Sequence, residues 1–193
     1  MEILGFILVG AVVIVVFVIM IYNRLVALRQ NRQNAFADID VQLKLRADLV
    51  PNLVETVKGY ATHEETVFTQ VTQARAEAVS ASGVKNRADS ENALGLALTN
   101  LMAVAENYPD LKASEQFRHL QMELGDIENK IASARRFLNN STREYNTAIE
   151  QFPNNIVANF FNFSPAEMFD VGSNREELEK PVSVSFSPKE TTK

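Results

Sequence analysis

The sequence predicts an all-α protein: an N-terminal transmembrane helix, then an antiparallel helical bundle of three long helices plus a short fourth, ending in a flexible tail. Three observations carry this reading. An uncharged apolar run opens the chain, and behind it apolar residues recur in steps of three and four. Gly and Pro number only 7 and 6 in 193 residues and aromatics make up 8%, a composition that favours helices over strands and tight turns. The length suits one folded unit behind an anchor. The expected division is 1–23 as anchor, 24–163 as bundle, and 164–193 as a short helical turn and tail.

From Ile3 to Tyr22 the chain reads ILGFILVGAVVIVVFVIMIY, with no charge over a length that matches the hydrocarbon core of a bilayer. In lipid every backbone N–H and C=O must be satisfied within the segment, so the run is expected to be helical despite its many Val and Ile residues. Glu2 before the run and the bulky Met20, Ile21 and Tyr22 at its end are unlike a cleaved signal peptide. Residues 3–22 are therefore read as a retained single-pass anchor in the lipid bilayer. Arg24, Arg29 and Arg32 follow the span and no Lys or Arg precedes it, which predicts the N-terminus outside and the bundle in the cytoplasm.

Past the span the apolar positions are Phe36, Ile39, Leu43, Val50, Leu53, Val57, Tyr60, Val67, Val71, Ala74 and Ala78, with Arg46 and Glu64 breaking the seam. This 3.5-residue period predicts one long coiled-coil-like helix, with Leu25 and Leu28 suggesting that it continues out of the membrane. Pro51 is expected either to bend it at Leu49 and Val50 or to restart it. Gly83 interrupts the pattern, Asp89 or Ser90 offers a cap, and the next stripe runs through Leu94, Leu98, Leu101, Ala105 and Tyr108 until Pro109. Asp110 or Ser114 can cap the last long stripe. That stripe runs from Phe117 through Leu120, Leu124, Ile127, Ile131, Ala134, Leu138, Tyr145 and Ala148 to Phe152, with Ser141 intervening, before Pro153.

A short helix is expected over 155–161, and Ser164, Pro165 and Glu167 resemble an N-cap opening one further turn with Met168 and Phe169. Phe160, Phe161 and Phe163 form an aromatic knot beside Phe152. Its first reading is a plug over the open end of the bundle, its second a contact with lipid headgroups or a protein. Val182, Val184 and Phe186 alternate with serines at the period of a strand, which could pair between tails.

Two strings carry a family resemblance. DIDVQLKLRADLVPNLVETVKGYATHE, from Asp38 to Glu64, and YNRLVALR, from Tyr22, resemble the signature of the LemA family, and the segment from Glu106 to Phe163 is similar to the rest of that pattern. The resemblance weakens after Phe163. It implies a single-pass protein of the bacterial cytoplasmic (inner) membrane with a helical-bundle domain and no established catalytic residues. It also implies a role in the cell envelope, beside a membrane metalloprotease or other envelope proteins as partners. Some relatives carry a lipid-attachment cysteine, and this chain has no cysteine at all.

The residues point to no chemistry of their own. Without cysteine, disulfides and thiolate metal sites are excluded, and the net charge of −5, with no Lys/Arg concentration, disfavours nucleic acid as a partner. Of the two histidines, His63 precedes Glu64 and Glu65 but forms no zinc-binding pattern. Tyr60, His63 and Glu64 could form an acid/base cluster, but Glu64 on an apolar seam is more simply explained by a buried partner. Arg46 and Asp48, two apart, cannot cooperate on a helix, so Arg46 is expected to bond a carboxylate or free carbonyl inside the bundle. Glu123 and Asp126 share a face, and Lys130 one turn on makes a solvated ion pair the plain reading over a cation site.

No catalytic, cofactor or metal residues are therefore assigned. The expected function is a non-enzymatic, membrane-anchored scaffold that forms homo-oligomers and binds envelope or membrane partners. The alternative is a membrane-tethered sensor or receptor module with an extracytoplasmic ligand- or peptide-binding domain. A third reading, a hydrolase using Glu64 and His63, needs a pocket to hold them together.

Overall fold

The computed structural model of the chain describes residues 1–169. Six helices order them: α1 Glu2–Lys58, α2 Glu65–Ser80, α3 Val84–Ala105, α4 Pro109–Ala113, α5 Glu115–Glu150 and α6 Asn154–Phe160. The alternation at Val182, Val184 and Phe186 lies outside the described residues. The all-α class holds among the described residues, and α1 is the one helix there long and apolar enough to cross a membrane.

The anchor and the first bundle helix are one element. α1 runs unbroken from the apolar run to Lys58, exposed or nearly so up to Met20 and with its later seam, from Ile21 on, buried. The continuation through Leu25 and Leu28 is as expected, and both are buried. Its end differs from the expected single helix over residues 36–78. The seam folds back at 59–64, and α2 returns as a separate antiparallel helix. Gly59, Thr62 and His63 supply weak helix formers at the turn, while Ala61, fully buried, keeps the loop pinned to the core. The expected stripe passes through Tyr60 and Val67, whereas Tyr60 is exposed, Val67 is half-buried and the buried positions are Val57, Ala61, Phe68 and Val71. These remain at helical spacings on both sides, so apolar period alone does not register the break.

Pro51 does not restart α1, because the carbonyl it frees is taken over from outside the helix. Proline lacks the N–H that would bond the Ala47 carbonyl, and Arg75 on α2 donates its Nε–H there instead, at 2.6 Å. Replacing Arg75 with Leu is expected to cost about 1–2 kcal/mol by stranding that carbonyl. The loss should shrink when Pro51→Ala restores a local donor. Denaturant unfolding of the four variants measures the coupling, and additive losses would break the link.

α2 and α3 pack as a hairpin whose turn places Gly83 at φ 81, where a side chain would be strained. α3 starts at Val84, five residues before the expected cap at Asp89. Ser114 caps α5, accepting from the Phe117 N–H, as one of the two expected caps. On α5 the position between Leu138 and Tyr145 that faces inward is Thr142 rather than Ser141; its hydroxyl is satisfied by the Leu138 carbonyl at 2.8 Å.

α5 runs antiparallel along α1, and the core divides in two along this pair. The larger part joins α1, α2, α3 and α5. The smaller lies towards the apolar run, where Ile21, Leu25 and Leu28 meet Tyr145, Ala148, Ile149, Val157, Ala158 and Phe163.

Residues 164–169 carry no regular secondary structure, in place of the expected helical turn. Two amides on α5 explain this. Asn146 donates to the Ala166 carbonyl (2.9 Å) and accepts from its N–H (2.8 Å); Asn139 does the same to Phe169 (3.1 and 2.8 Å). Seven helical residues rise about 10.5 Å, and three residues can reach about 10 Å when extended, so the chain is long enough to follow α5 from one amide to the other. With these backbone groups held by side chains and Phe169 buried in the larger core, a helical turn has nothing to gain.

Candidate functional site

Two places concentrate polar chemistry or unpartnered surface. The first is a charged cluster inside the bundle. Arg46, at the middle of the α1 seam and almost fully buried, donates to the Glu128 carboxylate of α5 at 2.7 Å. It also donates to both the Glu91 carboxylate and the Glu91 carbonyl of α3, at 2.5 and 2.9 Å. Arg87 extends the cluster, pairing with Asp40 on α1 and lying 3.8 Å from the second Glu91 oxygen. The result is a chain of five charges, Asp40, Arg87, Glu91, Arg46 and Glu128, that crosses three helices.

The expectation that Arg46 bonds a carboxylate or a carbonyl holds on both counts. Glu91, Arg87 and Glu128 were not singled out from sequence. The available signal was Glu91 itself, an acidic residue three before Leu94 and three after Ala88 on the inward face of α3. Three of the five guanidinium donors of Arg46 are accounted for by these oxygens, the Nε–H is buried without a partner, and the three bonds fix α1, α3 and α5 against one another. A narrow cleft of ≈ 170 Å³ beside it is lined in part by Leu43, Gly95 and Phe169.

The other residues considered from sequence are not brought together. Tyr60 and His63 are exposed, and the Glu64 carboxylate accepts from the Tyr108 hydroxyl at 3.3 Å instead. Burial, and then the Glu64 charge, raise the Tyr108 hydroxyl above the usual phenol range. Asp48 pairs with Lys44 on the surface at 3.4 Å, apart from Arg46. The expected Asp126–Lys130 pair is not among the ion pairs of the described residues. Glu123 faces His119 at 4.0 Å, and Lys130 lines a groove between α1 and α5. That groove, ≈ 440 Å³ and open, is bordered by Asp38, Val41, Gln42, Asn129, Lys130, Ser133 and Ala134. Val41, Leu45 and Phe137 are exposed apolar side chains on the same two helices.

The second place is the end of the bundle next to the apolar run. α6 ends with Asn162 at φ 57, a conformation that asparagine tolerates. The Phe163 N–H reaches back to the Ala158 carbonyl at 2.9 Å, and this closure turns Phe163 into the smaller core. Tyr22 meets Phe161 and Phe163 at ring-centroid distances of 4.7 and 5.8 Å, and the Arg29 guanidinium lies 5.0 Å from the Phe163 centroid. Tyr145 donates its hydroxyl to the Ser164 carbonyl at 2.9 Å. Burial raises that hydroxyl, and Arg29 and Arg32 oppose the rise. Of the aromatic knot, Phe163 is thus the plug, whereas Phe152 and Phe160 stay open to solvent.

The family model described as "LemA family" matches residues 35–186, beginning later and reaching further than the stretch from Tyr22 to Phe163 on which the resemblance was read. Among curated proteins, the chain is 27% identical over 177 residues to Magnetosome protein MamQ of Magnetospirillum gryphiswaldense, a match covering 78% of this chain and 65% of that protein. It is 26% identical over 186 residues to Magnetosome protein MamQ 2 and to Magnetosome protein MamQ 1, both of Paramagnetospirillum magneticum, covering 83% of this chain and 68% of each. The chain thus spans about two thirds of the length of these relatives.

Proposed function

The chain belongs to the LemA family, and from that membership we propose that this membrane-associated helical protein is a non-enzymatic scaffold whose copies associate side by side in the bilayer plane and hold envelope or membrane partners. The observation that carries this reading is the continuity of α1. One unbroken helix contains both the apolar run and a wall of the α1–α5 groove, so the membrane fixes which way Val41 and Leu45 face. A stiff rod standing in a bilayer presents such side chains laterally, where other copies and other membrane proteins are met at high effective concentration. Tyr60 and His63 are exposed and the Glu64 carboxylate is bonded to Tyr108 instead, which supports a role without catalysis. The arginines after the span favour the bacterial inner membrane with the bundle on the cytoplasmic side.

A chain with no cysteine makes the test direct. Leu45→Cys, treated in native membranes with a short bis-maleimide, is expected to give crosslinked homo-oligomers, and Lys85→Cys, exposed at the start of α3, is expected to give none. Equal yields from the two, or none from Leu45→Cys, would remove the α1–α5 face from the account. Labelling the same variants in intact cells with a membrane-impermeant maleimide reads orientation, and labelling without lysis would place the bundle outside.

A further inference from the structure

We propose that α6 and the turn before it form a second membrane contact, lying in the headgroup region of the same bilayer that α1 crosses. The inference rests on the reading of residues 3–22 as the span. Its first ground is the exposed surface. Ile156 and Phe160, four residues apart on α6, and Phe152 in the turn that enters it are 61%, 79% and 80% exposed, while Val157 and Ala158 on the other side are buried. Large apolar side chains left open on one side of a short helix need a covering surface.

The second ground is position. At 1.5 Å per residue the run from Ile3 to Tyr22 is about 30 Å long, the thickness of the hydrocarbon core, so Tyr22 stands at the boundary with the headgroups. α6 and Phe163 share the smaller core with Val18, Ile21 and Tyr22, and Phe161 packs on the Tyr22 ring. Anything packed against the last turn of a span shares its depth.

The third ground is charge. The sixteen residues from Gln151 to Ala166 carry none, in a chain that is 22% charged, and they hold four phenylalanines and four asparagines. Aromatic rings and neutral amides are side chains suited to the interface, where one end of the surface is apolar and the other wet. The lipid surface, rather than a protein, is therefore the occupant that continuity with α1 supplies.

The chain has no tryptophan, so a single indole reports on one place. The full-length protein carrying Phe160→Trp, Leu96→Trp or Phe6→Trp is reconstituted in phosphatidylcholine vesicles with bromine placed at shallow or deep acyl positions. Leu96 is exposed on α3, away from the span, and Phe6 lies within it. The expected result is quenching of Phe160→Trp by shallow bromine several-fold stronger than that of Leu96→Trp, with Phe6→Trp, about 5 Å inside the far boundary of the span, also quenched by acyl-chain bromine. Quenching of Phe160→Trp no greater than that of Leu96→Trp overturns the proposal. So does a blue-shifted emission that ignores bromine and rises with protein density, which would assign the face to a second copy. Failure of Phe6→Trp to be quenched would instead overturn the span.

Discussion

Arg46→Ala is expected to destabilise the bundle by about 3–5 kcal/mol, a large fraction of the stability of an ordinary domain. The loss has two parts. Three charge-assisted hydrogen bonds disappear, and the Glu91 carboxylate, buried like Arg46, is left facing the cleft with only the more distant Arg87 in support. Removing both charges is a different experiment. Arg46→Met with Glu91→Leu is expected to recover most of the loss, because apolar side chains of similar volume need no desolvated charge to be matched. Denaturant unfolding of the full chain in mild detergent, followed by helical circular dichroism, compares the two. A single variant that loses less than about 1 kcal/mol would mean that water, not burial, surrounds this cluster.

Phe169→Ala is expected to cost about 3–5 kcal/mol, the range for emptying a buried phenylalanine site. The side chain is 2% exposed and belongs to the larger core, although it lies beyond α6. Its place depends on the Asn139 amide, which holds both the N–H and the carbonyl of Phe169. Asn139→Ala should therefore weaken the same packing by about 1–2 kcal/mol, and its effect should vanish in the Phe169→Ala background. Additive losses in that cycle would show that the amide and the ring act separately.

Much of the architecture follows from one-dimensional pattern. The apolar run, the stripes at 94–105 and 117–148, the stop at Pro153 and the short helix after it are set by local periodicity and by residues that cap or end helices, so they can be read without coordinates. Arg46 also announced itself, because a charge inside an apolar seam must find a partner. Periodicity is blind to whether a seam continues or folds back, and so the pattern predicts a continuous helix across residues 59–64, where the structure has a turn.

Tertiary structure decided the rest, because it brings together groups far apart in sequence. Arg75 answers the carbonyl freed by Pro51 across 28 residues, and Glu91 and Glu128 meet Arg46 across 45 and 82. Asn139 and Asn146 overrule a plausible helix cap at Ser164 by bonding the backbone two turns of α5 apart. What the sequence determined by itself was therefore that the chain is helical and which face of most helices is apolar, since both depend on neighbours within a few residues, whereas the break at 59–64 was not among the things it determined. Which polar groups pair, and that Phe152, Ile156 and Phe160 stay uncovered beside the end of the apolar run, depends on the docking of α6 against α1, a relation no local pattern encodes.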